Sequence, residues 1–253
     1  MLEAVSGIAR EAGRIAAARS GSAFRRWEKS PNNPVCEVDL EVDAFLRERL
    51  SRLDPQAGWL SEETLDRSDR IERSSLWVVD PIDGTRDYLS GRPGWCVSVA
   101  LVENRVPVLG VLDAPARGEH WTAQAGMGAF RNGLRLHCSD RTALAGARVP
   151  VDQLPAADAD LTAVPRPNSI ALRIALVAAG EADLVATVKW GYEWDIAAAA
   201  LIAEEAGARV TGALGQPLAF NTYAGEAFGV LAAAPGIHAA AAERLRERAL
   251  ALV

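Results

Sequence analysis

The sequence predicts an α/β protein of alternating helices and sheets, on three observations. Apolar residues recur at helical spacing near both ends of the chain, an unbroken apolar run of strand length sits at Leu76-Trp77-Val78-Val79, and a meander of short strands with turn signals follows it.

Leu2, Val5, Ile8, Ala9, Ala12, Ile15 and Ala16 predict a long first helix, which breaks before the turn cluster Ser30-Pro31-Asn32-Asn33-Pro34. A second helix is expected over 39–50. The run at Leu76-Trp77-Val78-Val79 lacks alternation, as a strand covered on both faces should, and Asp80-Pro81 is expected to end it. Residues 96–102 and 106–111 read as strands paired around Glu103-Asn104-Arg105, and Asn132-Gly133 signals a further hairpin. Ser169 is placed to cap a helix that ends at Gly180. A strand over 182–188, a helix from Asp195 to Ala206 stopped by Gly207, a strand near 228–232 and a helix over 235–250 complete the pattern.

Length and composition agree with a folded globular protein. The chain has 253 residues, 49% of them hydrophobic, which is enough for a sizeable core. No polar or Gly/Ser-rich linker divides it, so one compact unit is expected, with one lobe over 1–145 and a second over 146–253. The net charge of −6 argues against binding a nucleic-acid backbone, and an acidic protein that handles phosphates needs metal ions as intermediaries. The first 26 residues form neither a secretory signal nor a membrane span, which points to a cytoplasmic protein with no membrane partner. Cys36, Cys96 and Cys138 fit neither a disulfide framework nor a zinc site, and the three histidines lack metal-ligand spacing.

The segment that carries chemistry is Asp80-Pro81-Ile82-Asp83-Gly84-Thr85. Two carboxylates three apart at a strand end, with the Ile82 carbonyl between them, suit a hard cation such as magnesium or calcium. Gly84 would let the backbone approach a phosphate, and a helix starting after Asp83 would aim the Gly84 and Thr85 amides at it. Taken singly, each feature has a plainer reading: Asp80 and Asp83 as turn and capping residues, Glu62-Glu63 as a solvated pair, Asp195 as an N-cap and Asp39 as a surface helix residue.

The combination resembles the inositol monophosphatase family. Trp77-Val78-Val79-Asp80-Pro81-Ile82-Asp83-Gly84-Thr85 and Trp194-Asp195-Ile196-Ala197-Ala198-Ala199 match its two signatures in order. Similarity extends to Lys29, 34–39, Ser61-Glu62-Glu63, 171–183 and Glu204-Glu205-Ala206-Gly207. The resemblance implies a layered αβαβα sandwich with the site in a cleft between lobes, a homodimer, and lithium sensitivity. It also implies that Glu62, Asp80 and the Ile82 carbonyl hold one magnesium and that Asp80, Asp83 and Asp195 hold a second, with room for a third near Glu62. Thr85, and through it Asp39, would orient the water that attacks phosphorus in line. Some relatives serve as regulatory binding modules, an alternative that would not need all four metal carboxylates plus Thr85.

Departures from the family bear on the substrate. Cys36, Val38, Asn168 and Ala208 replace a threonine, an alanine and two glycines without removing a metal ligand. Val188 stands where inositol phosphatases place a glutamate on the inositol ring, with Glu193, one turn closer, as the candidate replacement. Arg86-Asp87-Tyr88 is similar to the triplet of the 3'(2'),5'-bisphosphate nucleotidase branch, called CysQ in bacteria, in which Arg86 would meet a second phosphate. Ser169, Gly84, Thr85 and Asp83 complete the expected phosphate contacts, and the shortness of 152–167 implies an open mouth. The expected activity is therefore hydrolysis of a small phosphorylated metabolite, with bisphosphate nucleotidase ahead of inositol-1-monophosphatase and histidinol phosphatase third.

Overall fold

A computed structural model describes residues 1–30 and 33–252. Helix α1 (Leu2–Arg19) buries Val5, Ala9, Ala12, Gly13 and Ala16, the stripe that helical spacing demands. Strands β1 (Arg26–Ser30) and β2 (Asn33–Cys36) then pair antiparallel, a hairpin that turn chemistry alone did not reveal. Residues 31 and 32 of the expected turn cluster lie outside the described residues. Helix α2 (Glu37–Leu53) opens two residues earlier than expected, because the Cys36 peptide N–H and Sγ–H both donate to Asp39 in its first turn, at 2.8 and 2.9 Å.

Strands β3 (Gly58–Ser61) and β4 (Ser75–Asp83) are parallel. β4 does not stop at Asp80-Pro81 as the sequence suggested. It runs on to Asp83, and its register against the next strand shifts between Asp80 and Asp83, around a proline that cannot donate to the ladder. The short helix α3 (Thr85–Leu89) follows, and then the meander of β5 (Cys96–Glu103), β6 (Val106–Ala114), β7 (Glu119–Gln124), β8 (Gly128–Arg131) and β9 (Leu134–Arg135). Both expected turns form with positive φ at each central residue, 49° and 70° at Asn104-Arg105, 52° and 81° at Asn132-Gly133. Among the described residues these strands make one seven-stranded sheet in the order β3-β4-β5-β6-β7-β8-β9.

The second half supplies the parallel pair β10 (Arg148–Pro150) and β11 (Thr162–Val164), helix α4 (Ile170–Ala178), strand β12 (Leu184–Tyr192), helix α5 (Glu193–Glu205), strands β13 (Arg209–Thr211) and β14 (Glu226–Ala233), and helix α6 (Pro235–Leu250). β12, β14 and β13 form a smaller sheet in that order. Ser169 caps α4 as expected, its hydroxyl accepting the Leu172 N–H at 2.9 Å. Helix α5 starts two residues before Asp195, so Asp195 lies in the first turn, where it accepts the Tyr192 N–H at 3.2 Å, instead of at the cap position.

The order of layers follows from which faces are apolar. β4 is buried on both sides: Trp77 and Val79 pack with Val5, Ala12, Val42 and Leu46 of α1 and α2, while Leu76 and Val78 join a core with α4 and α5. Helix α5 lies between the large and small sheets, and its run 196–203 is buried all round, which explains the alanine richness. At Gly110 of β6 a Cβ would stand 2.7 Å from the Ala198 carbonyl oxygen, so small residues on both sides set this close approach. Helix α6 closes the far side through Ile237 and Ala241 against Leu231 and Ala233. The result is helix, sheet, helix, sheet, helix, the αβαβα order expected from the sequence. No described helix is long and apolar enough to cross a membrane.

Candidate active site

The end of β4 and the start of α5 bring three carboxylates together. Asp80, Asp83 and Asp195 each offer an oxygen, and these oxygens all lie within 4.8 Å of one another. The β4 bulge accounts for the first pair: Asp80 folds back to accept the Ile82 N–H at 2.9 Å, and Asp83 accepts the Ser169 hydroxyl at 2.5 Å and the Ala171 N–H at 2.8 Å. Burial raises all three groups above the ordinary carboxylate range, and their mutual repulsion, with that of Glu62, adds to the rise at Asp80 and Asp195. Asp83 is pushed up to about 6, burial outweighing the donors at its oxygens. Three closely set oxygen ligands, those of Asp80 and Asp83 buried and that of Asp195 half-buried, repel one another and are the donor set that a hard divalent cation relieves, so the residues present fit magnesium.

Glu62 lines the same cleft, which has a volume of about 310 Å³. Its placement comes from both sides: its N–H donates to the Val79 carbonyl at 3.3 Å, and the neighbouring Ser61 hydroxyl donates to the buried Asp43, which also receives the Thr64 hydroxyl at 2.6 Å. Lys29 spans Glu62 at 3.3 Å and Glu63 at 2.6 Å. Glu63, largely buried, is pushed up to about 7 by that burial, against the pull of Lys29. The Thr85 hydroxyl lies 3.1 Å from the Ile82 carbonyl oxygen and 3.4 Å from Asp39 Oδ1. Asp39 is buried, not a surface helix residue, and burial raises its carboxyl. Gly84 enters α3 at φ 97°, where a Cβ would stand 2.6 Å from the Gly94 carbonyl oxygen, so only glycine fits.

Two residues expected at the substrate face elsewhere. Glu193 is fully buried, accepting the Asn221 N–H at 2.6 Å, the Thr222 N–H at 2.7 Å and the Thr222 hydroxyl at 2.6 Å, so it fastens a distant loop to α5 and does not replace the missing inositol-ring glutamate. Ser169 is also fully buried and reaches the cleft only through Asp83. Of the triplet 86–88, Arg86 lines the cleft, Asp87 accepts Arg92 Nε at 2.7 Å and the Asn168 N–H at 3.1 Å, and Tyr88 is a core aromatic whose hydroxyl donates to Ala16. The segment 152–167 borders an open cavity of about 620 Å³ that meets the cleft at Asn168. Sequence reasoning missed Trp190 and Tyr192 as cleft residues. Two aromatic residues two apart, just before the Trp194-Asp195 signature, were the available signal.

A layered α/β fold with a buried hard-ligand cluster beside a glycine-entered helix start defines a metal-dependent phosphate-ester hydrolase. The chain is similar over its whole length, 1–253, to the inositol monophosphatase family. It is 34% identical over 208 residues to the 3'(2'),5'-bisphosphate nucleotidase CysQ of Aggregatibacter actinomycetemcomitans, covering 76% of this chain and 77% of that protein. It is 35% identical over 248 residues to the inositol-1-monophosphatase of Mycobacterium bovis, covering 88% and 81%. The IMPase structure of Thermotoga maritima superposes with a TM-score of 0.84 at 26% identity, over 96% of this chain and 95% of that one. This chain belongs to the inositol monophosphatase family and is a phosphomonoesterase with an acidic metal-binding cluster.

Proposed function

We propose that this enzyme uses two to three magnesium ions to hydrolyse a small phosphorylated metabolite, with a 3'(2'),5'-bisphosphate nucleotide the favoured substrate class over inositol 1-phosphate and histidinol phosphate. The observation that carries the chemistry is the meeting of Asp80, Asp83 and Asp195 within 4.8 Å at the cleft. These three, with Glu62 and the Ile82 carbonyl, would hold the ions. The chemistry that bound ions supply is neutralisation of the phosphoryl oxygens and acidification of water.

The protein's own groups do the rest. The amides of Gly84, the N-cap of α3, and of Thr85, its first residue, are placed to donate to the phosphoryl oxygens. The Thr85 hydroxyl, 3.4 Å from Asp39 Oδ1, would accept a hydrogen bond from the attacking water while its own proton points toward Asp39, which orients the nucleophile. Glu62 closes the metal side of the cleft. Favouring the nucleotidase reading, Arg86 lines the cleft, and Lys189 and Arg173 line the cavity beside it, a cationic setting for a second phosphate. Against an inositol ring, Val188 offers no carboxylate and Glu193 is turned away.

The test is phosphate release from 3'-phosphoadenosine 5'-phosphate, inositol 1-phosphate, histidinol phosphate and fructose 1,6-bisphosphate, with and without magnesium. Faster magnesium-dependent turnover of the bisphosphate nucleotide supports the reading, and a rate no higher than that on inositol 1-phosphate sinks it. Lithium inhibition, a homodimer in sedimentation and a cytoplasmic location belong to the same proposal.

A further inference from the structure

Trp190 and Tyr192 are 60% and 43% exposed, and both line the cleft that holds the carboxylate cluster. Single exposed apolar residues need no explanation, but two large rings beside a carboxylate cluster do. They owe their place to β12, whose register against β14 shifts between Thr187 and Trp190, after which Trp190 pairs with Phe228 and Tyr192 with Glu226. Residues two apart on a strand share a face, so the bulge sets both rings on one side. Gly191 lies between them, where a Cβ would stand 3.6 Å from Asp195 Oδ2, so this strand edge runs directly against the cluster.

Each ring is backed by another. Tyr192 stacks on Trp194 with centroids 4.4 Å apart and planes 8° apart, and Trp190 tilts against Phe228 at 5.3 Å. Backing of this kind restricts the rotamers before any ligand arrives, which lowers the cost of ordering them on binding. Beside them a cavity of about 210 Å³, bounded also by Ile170, Ile196, Ala227 and Val230, opens onto the same Asp195. Lys189 lies on its wall and makes no ion pair among the described residues.

We infer that Trp190 and Tyr192 form a stacking wall that selects phosphate esters whose leaving group carries a planar ring. A saturated polyol gains little from such a wall, because it presents hydroxyls where the wall offers π-faces and aliphatic carbon. The inference rests on the phosphomonoesterase reading and adds the ring as the feature recognised, whether a purine or an imidazole.

The experiment compares wild type, Trp190→Ala and Trp190→Phe on 3'-phosphoadenosine 5'-phosphate, histidinol phosphate and the ring-free glycerol 2-phosphate, all with magnesium. The readout is the ratio of kcat/KM for each ring-bearing ester to that for glycerol 2-phosphate. Loss of one stacking face should lower the ratio about tenfold in Trp190→Ala, mainly through KM, while Trp190→Phe keeps it near wild type. An equal ratio in wild type and Trp190→Ala overturns the inference, as does a wild type that hydrolyses only ring-free esters. If histidinol phosphate shows the drop while wild type turns over the bisphosphate nucleotide no faster than inositol 1-phosphate, assayed alongside, the nucleotidase reading fails and the wall stands. No hydrolysis of any ester removes both.

Discussion

Asp83 and Glu193 are both buried acids near the cleft, yet their partners give them opposite roles. Asp83 accepts Ser169 and Ala171 on Oδ2 and offers its remaining valence to the cluster. Asp83→Asn can still accept from those donors on its carbonyl oxygen while losing the charge, so the fold should survive and turnover should fall at least about a hundredfold, several kcal/mol of charge stabilisation being lost. Phosphate release read alongside circular dichroism checks both halves. Glu193→Ala strands three donors from residues 221 and 222 and should cost about 3 kcal/mol of stability, measured by urea unfolding, without a matching loss in kcat for the molecules still folded. Cys36 answers a different question. It is fully buried, and its thiol is pushed up to about 12 by burial and then by Asp39, so it is no reactive thiolate despite its closeness to the cleft.

At the scale of elements, the site depends on three chain reversals that have no slack. β4 bulges at Pro81, α3 starts from a left-handed Gly84, and α4 starts from Ser169, whose hydroxyl serves the Leu172 N–H and Asp83 at once. Gly84→Ala would place a methyl group 2.6 Å from one carbonyl oxygen and 2.9 Å from the Ser169 nitrogen, in a backbone conformation that costs an L residue about 1–2 kcal/mol before any clash. The expected outcome is a lower Tm together with a loss of kcat, seen by calorimetry and phosphate release. A variant with normal kcat would show that the α3 amides need not sit where this turn puts them. α3 spans only Thr85–Leu89, so what it offers an anion is local N–H groups more than a helix dipole.

For the whole molecule, the carboxylate cluster links pH, metal and stability. Burial pushes the Asp83 carboxyl up from 3.8 to about 6 where no metal neutralises it, so the folded state binds the proton more tightly than the unfolded one. Its stabilising contribution is complete below the ordinary value and is lost as pH rises through about 6; Asp80 and Asp195, raised for the same reason, act in the same direction. Metal-free protein should therefore lose Tm from this cluster between about pH 4 and 7. Magnesium reverses the slope because it binds the ionised form: the Tm gain on adding it should be larger at pH 7.5 than at pH 5.5, by calorimetry at fixed magnesium. An equal gain at both pH values would falsify the assignment of these three acids to the metal.

The sequence by itself determined the core of β4 at Leu76-Trp77-Val78-Val79, though not its extension to Asp83, the turns at Asn104-Arg105 and Asn132-Gly133, the cap at Ser169 and the two segments whose acids meet. Each rests on short-range rules, such as apolar runs, positive φ and strand-end carboxylates, which act within a few residues and are written in the order of the chain. Tertiary structure alone decided that Glu193 turns inward while its neighbour Trp194 and the nearby Tyr192 stack at the cleft, that Asp39 is buried under Thr85, and that Arg26–Ser30 pairs with Asn33–Cys36. In the first two cases the deciding partners lie 28 to 46 residues away. Which face a side chain takes is set by the layer packed against it, and no local spacing specifies that layer.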